Sequence, residues 1–275
     1  MVNSRFEPAA AGNPIAATAP EFARLTRVML LLLASVLLSP QWSYAQEARL
    51  DSLQSEFQFV RLAFGVYGGH YGGGRGEPWL RDWPEADYHF MQGLRRLTKI
   101  NAAGNSRQVA LLGEDLFDYP VIYAVKVGYW RLSQIEAARL REYLLRGGFL
   151  IVDDFHGPGE WAEFAASMGR AFPDRPIVDI PGDDEIFHVL YDLDQRVQIP
   201  GRQAVLSGVT WEHPLGVPGY WRGIYDDEGR VLVAINFNMD LGDAWEHSDD
   251  GFYPEPLTAL AYRFGVNYII YSMTH

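Results

Sequence analysis

The sequence predicts an α/β fold, a three-layer, mainly parallel sheet flanked by helices, and three observations carry that prediction. Short apolar runs at residues 109–112 and 121–125 have the composition of strands buried on both faces. A helix-opening segment, Ser133-Gln-Ile-Glu136, leads after one helix length into the apolar run Phe149-Leu-Ile-Val152. Strand and helix patterns then alternate along most of the chain, which is how parallel sheets are built.

Each element has its own signal. Residues 57–64, rich in aromatic and branched side chains, read as the first strand, followed by a glycine-rich loop over residues 67–76. Asp82 stands two residues before Pro84 in a cap-and-first-turn arrangement, and Ala86, Phe90, Leu94 and Leu97 recur at helical spacing beyond it. In Ser133–Glu136 the serine and the glutamate satisfy two amides that a helix start leaves unpaired. That helix carries Ile135, Leu140, Tyr143 and Leu144 and stops at Gly147-Gly148. The strand at residues 149–152 runs into Asp153 and Asp154. Trp161, Phe164, Ala165 and Met168 mark a further helix, residues 230–236 a strand, and residues 257–273 a last helix despite Gly265.

The N-terminus predicts export. Residues 28–38 are a largely apolar run of 11 with Ser35 as its one polar residue, preceded by Arg24 and Arg27 and followed by Ser43 and Ala45 at the −3 and −1 positions of a cleavage site. Cleavage after Ala45 would leave a single α/β domain over residues 46–275, in the periplasm or secreted. The alternative is an inner-membrane anchor at residues 28–38, although a spanning helix needs about 20 apolar residues. The long segment before Arg24 leaves the true start open.

Removing residues 1–45 takes away three arginines and two glutamates, so the net charge of −12 becomes −13. Such a surface lacks the electrostatic footprint of a nucleic-acid binder. The chain has no cysteine, which excludes disulfides, thiolate zinc sites and cysteine nucleophiles. The glycine-rich loop has no Lys-Ser or Lys-Thr after it and runs into no dinucleotide fingerprint, so no nucleotide cofactor is expected.

In parallel sheets ligands sit beyond the carboxyl ends of the strands, and that rule ranks the polar residues. Asp153 and Asp154 close the best-defined strand and are followed by His156 and flexible glycines. They suit a divalent cation or acid–base work, against the plainer reading that one caps the next helix and the other faces solvent. His188 reads as a ligand or base, or as a hydrogen-bonded core histidine. Asp240, Asp243 and Trp245 lie with Asn238 and His247 in one short segment. Oxygen-rich loops take calcium or magnesium, and a tryptophan beside carboxylates suits a sugar ring; a solvated acidic loop is the alternative. Arg75, with His70, belongs to a glycine-rich flap that could touch whatever binds.

The chain resembles the bacterial family called domain of unknown function 4159. The residues that carry the likeness are Phe57-Gln-Phe-Val-Arg-Leu62, Asp82-Trp-Pro-Glu-Ala-Asp87, Leu116-Phe-Asp-Tyr-Pro-Val-Ile-Tyr123, Gly147-Gly-Phe-Leu-Ile-Val-Asp-Asp154, Phe172-Pro-Asp174, Ile186-Phe-His188, Asn238-Met-Asp-Leu-Gly-Asp243 and Gly265-Val-Asn267. They span essentially all of residues 56–275. The resemblance implies a fold similar to class I glutamine amidotransferases, a flavodoxin-like sheet, but no settled activity. In those enzymes the nucleophilic cysteine follows a central strand; if residues 149–152 are that strand, Asp153 and Asp154 stand near the turn and the reaction is not inherited. The family's association with exported proteins and with von Willebrand-type and chaperone-like ATPase proteins implies an envelope assembly.

Two functions are therefore expected. The first is a non-catalytic binding domain of the cell envelope, with an envelope protein or cell-wall ligand as partner and no cofactor beyond a divalent cation. The second is a hydrolase on a carbohydrate or peptidoglycan-like substrate, with Asp153, Asp154 and His188 as its catalytic candidates.

Overall fold

The computed structural model describes residues 55–65, 77–216 and 219–275. All lie in the second of two compact units, Asp51–His275. The predicted signal segment and Arg75 fall outside the described residues. No helix among the described residues is long and apolar enough to cross a membrane.

Seven strands form one sheet: β1 (Val60–Ala63), β2 (Arg107–Ala110), β3 (Val121–Val125), β4 (Phe149–Asp153), β5 (Val178–Asp179), β6 (Tyr220–Tyr225) and β7 (Val231–Phe237), in the order β2-β1-β3-β4-β7-β6-β5. The first five in that order are parallel, and β6 and β5 are added antiparallel at one edge. The parallel part has the 2-1-3-4-5 order of doubly wound sheets. Among the described residues six helices accompany it: α1 (Glu85–Leu97), α2 (Gln134–Leu145), α3 (Gly157–Ala171), α4 (Arg202–Leu206), α5 (Leu241–Glu246) and α6 (Glu255–Thr274).

The strand period of two divides the core into two layers. Val121, Tyr123 and Val125 of β3 and Phe149 and Ile151 of β4 point to one face, where they pack with Phe90, Trp245, Phe264 and Tyr268 from α1, α5 and α6. Ile122, Ala124, Leu150 and Val152 point to the other, against Leu140 of α2 and Phe164 and Met168 of α3. Each large apolar side chain so buried contributes roughly 1.5–3 kcal/mol. The predicted three-layer α/β architecture is the observed one.

The capping box at the start of α2 is present in both halves, and Gly147 takes the left-handed conformation (φ +103°) that ends that helix. Two expectations need correction. The strand near residues 109–112 is β2, an edge strand that buries only Val109 of its four residues. Ile135 is 70% exposed, because it lies on the outer face of α2. The strand expected at residues 230–236 is β7, but β6, β5, α4 and α5 had no distinct signal: β6 (Tyr-Trp-Arg-Gly-Ile-Tyr) is half-buried and does not alternate cleanly.

One buried cation prepares the site. Arg61, in the middle of β1 and 1% exposed, pairs with Asp87 of α1 at 2.7 Å. It also donates to the carbonyls of Trp79 (3.1 Å) and Arg81 (2.6 Å). This fixes the turn that carries Asp82.

Candidate functional site

Three parallel strands end in the same way. Lys126 follows β3, Asp154 follows β4 and Asn238 follows β7, and all three have left-handed backbone, with φ of 53°, 51° and 60°. Among the described residues only one other non-glycine residue has a positive φ, Asp82 at 60°. Side chains with a Cβ avoid this region at a cost of about 1–3 kcal/mol each, and such strain gathers where surrounding structure needs a particular placement. Main-chain bonds hold the turns together. The Lys126 amide donates to the Asp154 carbonyl (3.2 Å), that of Asn238 to Phe155 (3.0 Å), and that of Asp240 to Ile199 (2.9 Å).

The turns converge on carboxylates. One oxygen each of Asp82, Asp154 and Asp240 lies within 4.8 Å of the others. Asp154 is fully buried. Its Oδ1 accepts from Lys126 Nζ at 2.6 Å and lies 3.2 Å from His156 Nε2, while its Oδ2 is buried without a partner. Asp240 caps α5, accepting at Oδ1 from the Asp243 amide at 2.8 Å. Asp82 Oδ2 is buried and unpartnered, and its carboxyl shares a hydrogen bond with Glu246.

Two further carboxylates close the group. Asp243 Oδ2 accepts from the Arg202 amide at 2.5 Å, and Glu212 accepts from the Gly201 amide. Gly201 is essential to this packing, since a Cβ there would stand 2.7 Å from Asp243 Oδ2, 2.9 Å from Asp240 Oδ2 and 3.1 Å from Glu212 Oε1.

The electrostatics follow from burying many negative groups with one adjacent ammonium. Burial, then the charge of Asp154, pushes the Asp240 carboxyl well above the usual range, and Asp82 is raised in the same way. Asp154 is also raised by burial, with Lys126 working against it. Burial disfavours the Lys126 charge, but Asp154 and Asp240 outweigh it and raise that pKa. Burial, then Lys126, holds His156 well below the usual histidine range, so its ring is neutral.

The sequence-predicted residues separate here. Asp154 and Asp240 meet, with Asp243 beside them. Asp153 lies behind them as a fully buried anchor: its Oδ2 accepts from Tyr123 Oη (2.9 Å) and from the amides of Leu241 (2.7 Å) and Gly242 (3.0 Å), so it holds the start of α5. Burial and the neighbouring Asp154 push it up to about 7. Trp245 cannot stack on a sugar, because it is fully buried among Phe59, Phe90 and Tyr123. His188 is not brought to the carboxylates. It follows the 3-10 turn Glu185–Phe187, with Nδ1 3.0 Å from Asp192 Oδ1 and Nε2 3.0 Å from the Gly182 carbonyl.

Sequence reasoning took Asp82 for a helix cap and passed over Lys126 and Glu212. The strand-end rule, applied to the residue after 121–125, would have found Lys126. Nothing in the local pattern singles out Glu212.

Residues 59–273 match the family model described as Domain of unknown function (DUF4159). The chain belongs to this family. No curated protein matches it. The matched DUF4159 segment contains Asp82, Lys126, Asp154, Glu212, Asp240 and Asp243, so the whole carboxylate site lies within the family's domain.

Proposed function

We propose that this DUF4159 protein is exported and acts in the cell envelope as a ligand-binding domain. Its site is the carboxylate group at the strand ends, and its ligand is a polar cell-wall component or an envelope partner. The observation that carries the reading is the convergence of four strained, non-glycine turns on one set of buried carboxylates. A structural acidic loop would be solvated and would need neither the strain nor the burial. The 2-1-3-4-5 order and the placement of Asp154 directly after β4 are what an amidotransferase-like sheet would give, and the cysteine-free sequence rules out that family's nucleophile.

The second reading, a hydrolase on a carbohydrate or peptidoglycan-like substrate, is favoured by one observation. Burial and the charge of Asp154 push the Asp82 and Asp240 carboxyls well above their usual range beside the Lys126 ammonium, a set able to give and take protons.

Thermal-shift screening against cell-wall sugars and peptidoglycan fragments tests both. A stabilising ligand whose effect disappears in Asp240→Asn supports binding at this edge, and a cleaved product in the same mixtures selects the hydrolase. A ligand that stabilises wild type and Asp240→Asn equally would remove the strand edge from the account.

A further inference from the structure

The site has a negative charge that its own residues do not balance. Lys126 is the ammonium in contact with Asp154, and Arg202, whose amide meets Asp243, sends its guanidinium to Asp250 instead. Asp82, Asp154, Asp240, Asp243, Glu212 and Glu246 thus outnumber the cations that act on them, chiefly Lys126 and Arg81 on Asp154 and Arg61 on Asp82.

Two oxygens show where a counter-charge belongs. Asp154 Oδ2 is on a fully buried residue and has no partner, while its sister Oδ1 is held by Lys126. Asp82 Oδ2 is likewise buried and unpartnered. An ionised carboxylate oxygen left without a donor is costly in a protein interior. Asp154 is the charge that most raises both Asp82 and Asp240, so the three carboxyls act on one volume.

Resting on the reading of this edge as the working site, we infer that Asp82, Asp154 and Asp240 form the ligand set of a hard divalent cation, Mg²⁺, Mn²⁺ or Ca²⁺. The donors are all oxygen and the chain has no thiolate, which selects that class over zinc or copper. Their mutual separation, within 4.8 Å, is what oxygens about 2.0–2.6 Å from one ion can span. Asp153 stands outside this set: the carboxylates that meet are those of Asp82, Asp154 and Asp240, and Asp153 Oδ2 is held by three donors while its buried Oδ1 has no partner. Lys126 is a positioning residue, which holds Asp154 Oδ1 and leaves Oδ2 for the ion.

The test is titration of the EDTA-stripped protein with Mn²⁺, followed by calorimetry and by electron paramagnetic resonance, with Mg²⁺ and Ca²⁺ as competitors. Wild type should bind one Mn²⁺ at this site. Asp154→Asn and Asp240→Asn should each weaken it at least tenfold, and Asp227→Asn, a change at an exposed Arg175 pair, should leave it intact. Asp82→Asn, at the half-buried member, gives the answer if a buried variant fails to fold by circular dichroism.

No saturable binding of any of the three metals, or binding that survives all three substitutions, overturns the inference. A sugar or peptidoglycan ligand that binds in EDTA and is lost in Asp240→Asn overturns the cation and leaves the proposed function standing. Site-specific Mn²⁺ without any such ligand supports the cation and counts against that function.

Discussion

Lys126 and Asp154 each stand one residue beyond a parallel strand, each in left-handed backbone, and are joined twice, by a 2.6 Å ion pair and by a 3.2 Å bond from the Lys126 amide to the Asp154 carbonyl. The main-chain bond ties the ends of β3 and β4 together, and the ion pair orients a carboxylate that is otherwise fully buried.

Lys126→Met should be strongly destabilising. It leaves Asp154 buried without its ammonium, and breaking a buried pair from one side typically costs about 3–5 kcal/mol. The double variant Lys126→Met/Asp154→Asn should recover part of that loss, because no uncompensated charge remains. Urea unfolding of the three proteins measures it, and a double variant less stable than Lys126→Met would contradict the pairing.

Asp153 should behave as a structural group. Asp153→Ala strands the Tyr123 hydroxyl and the amides of Leu241 and Gly242, each unpaired buried donor costing about 1–3 kcal/mol. Asp153→Asn keeps an acceptor oxygen and should lose less than half as much. Equal losses in the two variants would show that the three hydrogen bonds are not what Asp153 contributes.

Without divalent cations, stability should rise as pH falls from about 7 towards 5. Asp153, pushed up to about 7, and the raised Asp82, Asp154 and Asp240 bind protons in the folded state that the unfolded chain, with carboxyls near 4, does not. Their contribution is therefore full below the unfolded pKa and lost as pH rises through the folded one. His156, held well below its usual range, works the other way as pH drops below about 6.5, but it is one group against several. Melting temperature against pH in EDTA reads the sign. Asp153→Asn should flatten the curve, and a curve equally steep in that variant would remove Asp153 as its source.

Gly201→Ala should damage the site and spare the fold. The residue has φ −66°, which alanine adopts without strain, yet its Cβ would meet the carboxylates of Asp243, Asp240 and Glu212. Mn²⁺ affinity should fall at least tenfold with an unchanged circular dichroism spectrum. Unaltered affinity would show that the carboxylates can move apart freely.

Much of the fold was legible in the sequence because its central strands are buried on both faces. Residues 121–125 and 149–152 had to be apolar throughout, and the Ser133–Glu136 box marks the start of α2 by local hydrogen bonding alone. Within the β6–β7 hairpin β7 was legible and β6 was not, since β6 is half-buried and mixes aromatic, cationic and glycine residues. Half of the site was readable from the strand-end rule, which put forward Asp154 and Asp240. The rule could not separate Asp154 from Asp153, because adjacent residues differ only in which way the turn sends them: Asp153 into the start of α5, and Asp154 towards Lys126. Glu212 enters through the long-range contact of its loop with Gly201, and no local pattern encodes such a contact.

The most direct test is crystallographic. Crystals of the protein soaked in Mn²⁺ and recorded at the manganese absorption edge should show an anomalous peak bounded by Asp82, Asp154 and Asp240, in contact with Asp154 Oδ2. No peak there at saturating Mn²⁺, or a peak only at surface carboxylates elsewhere, would contradict the account.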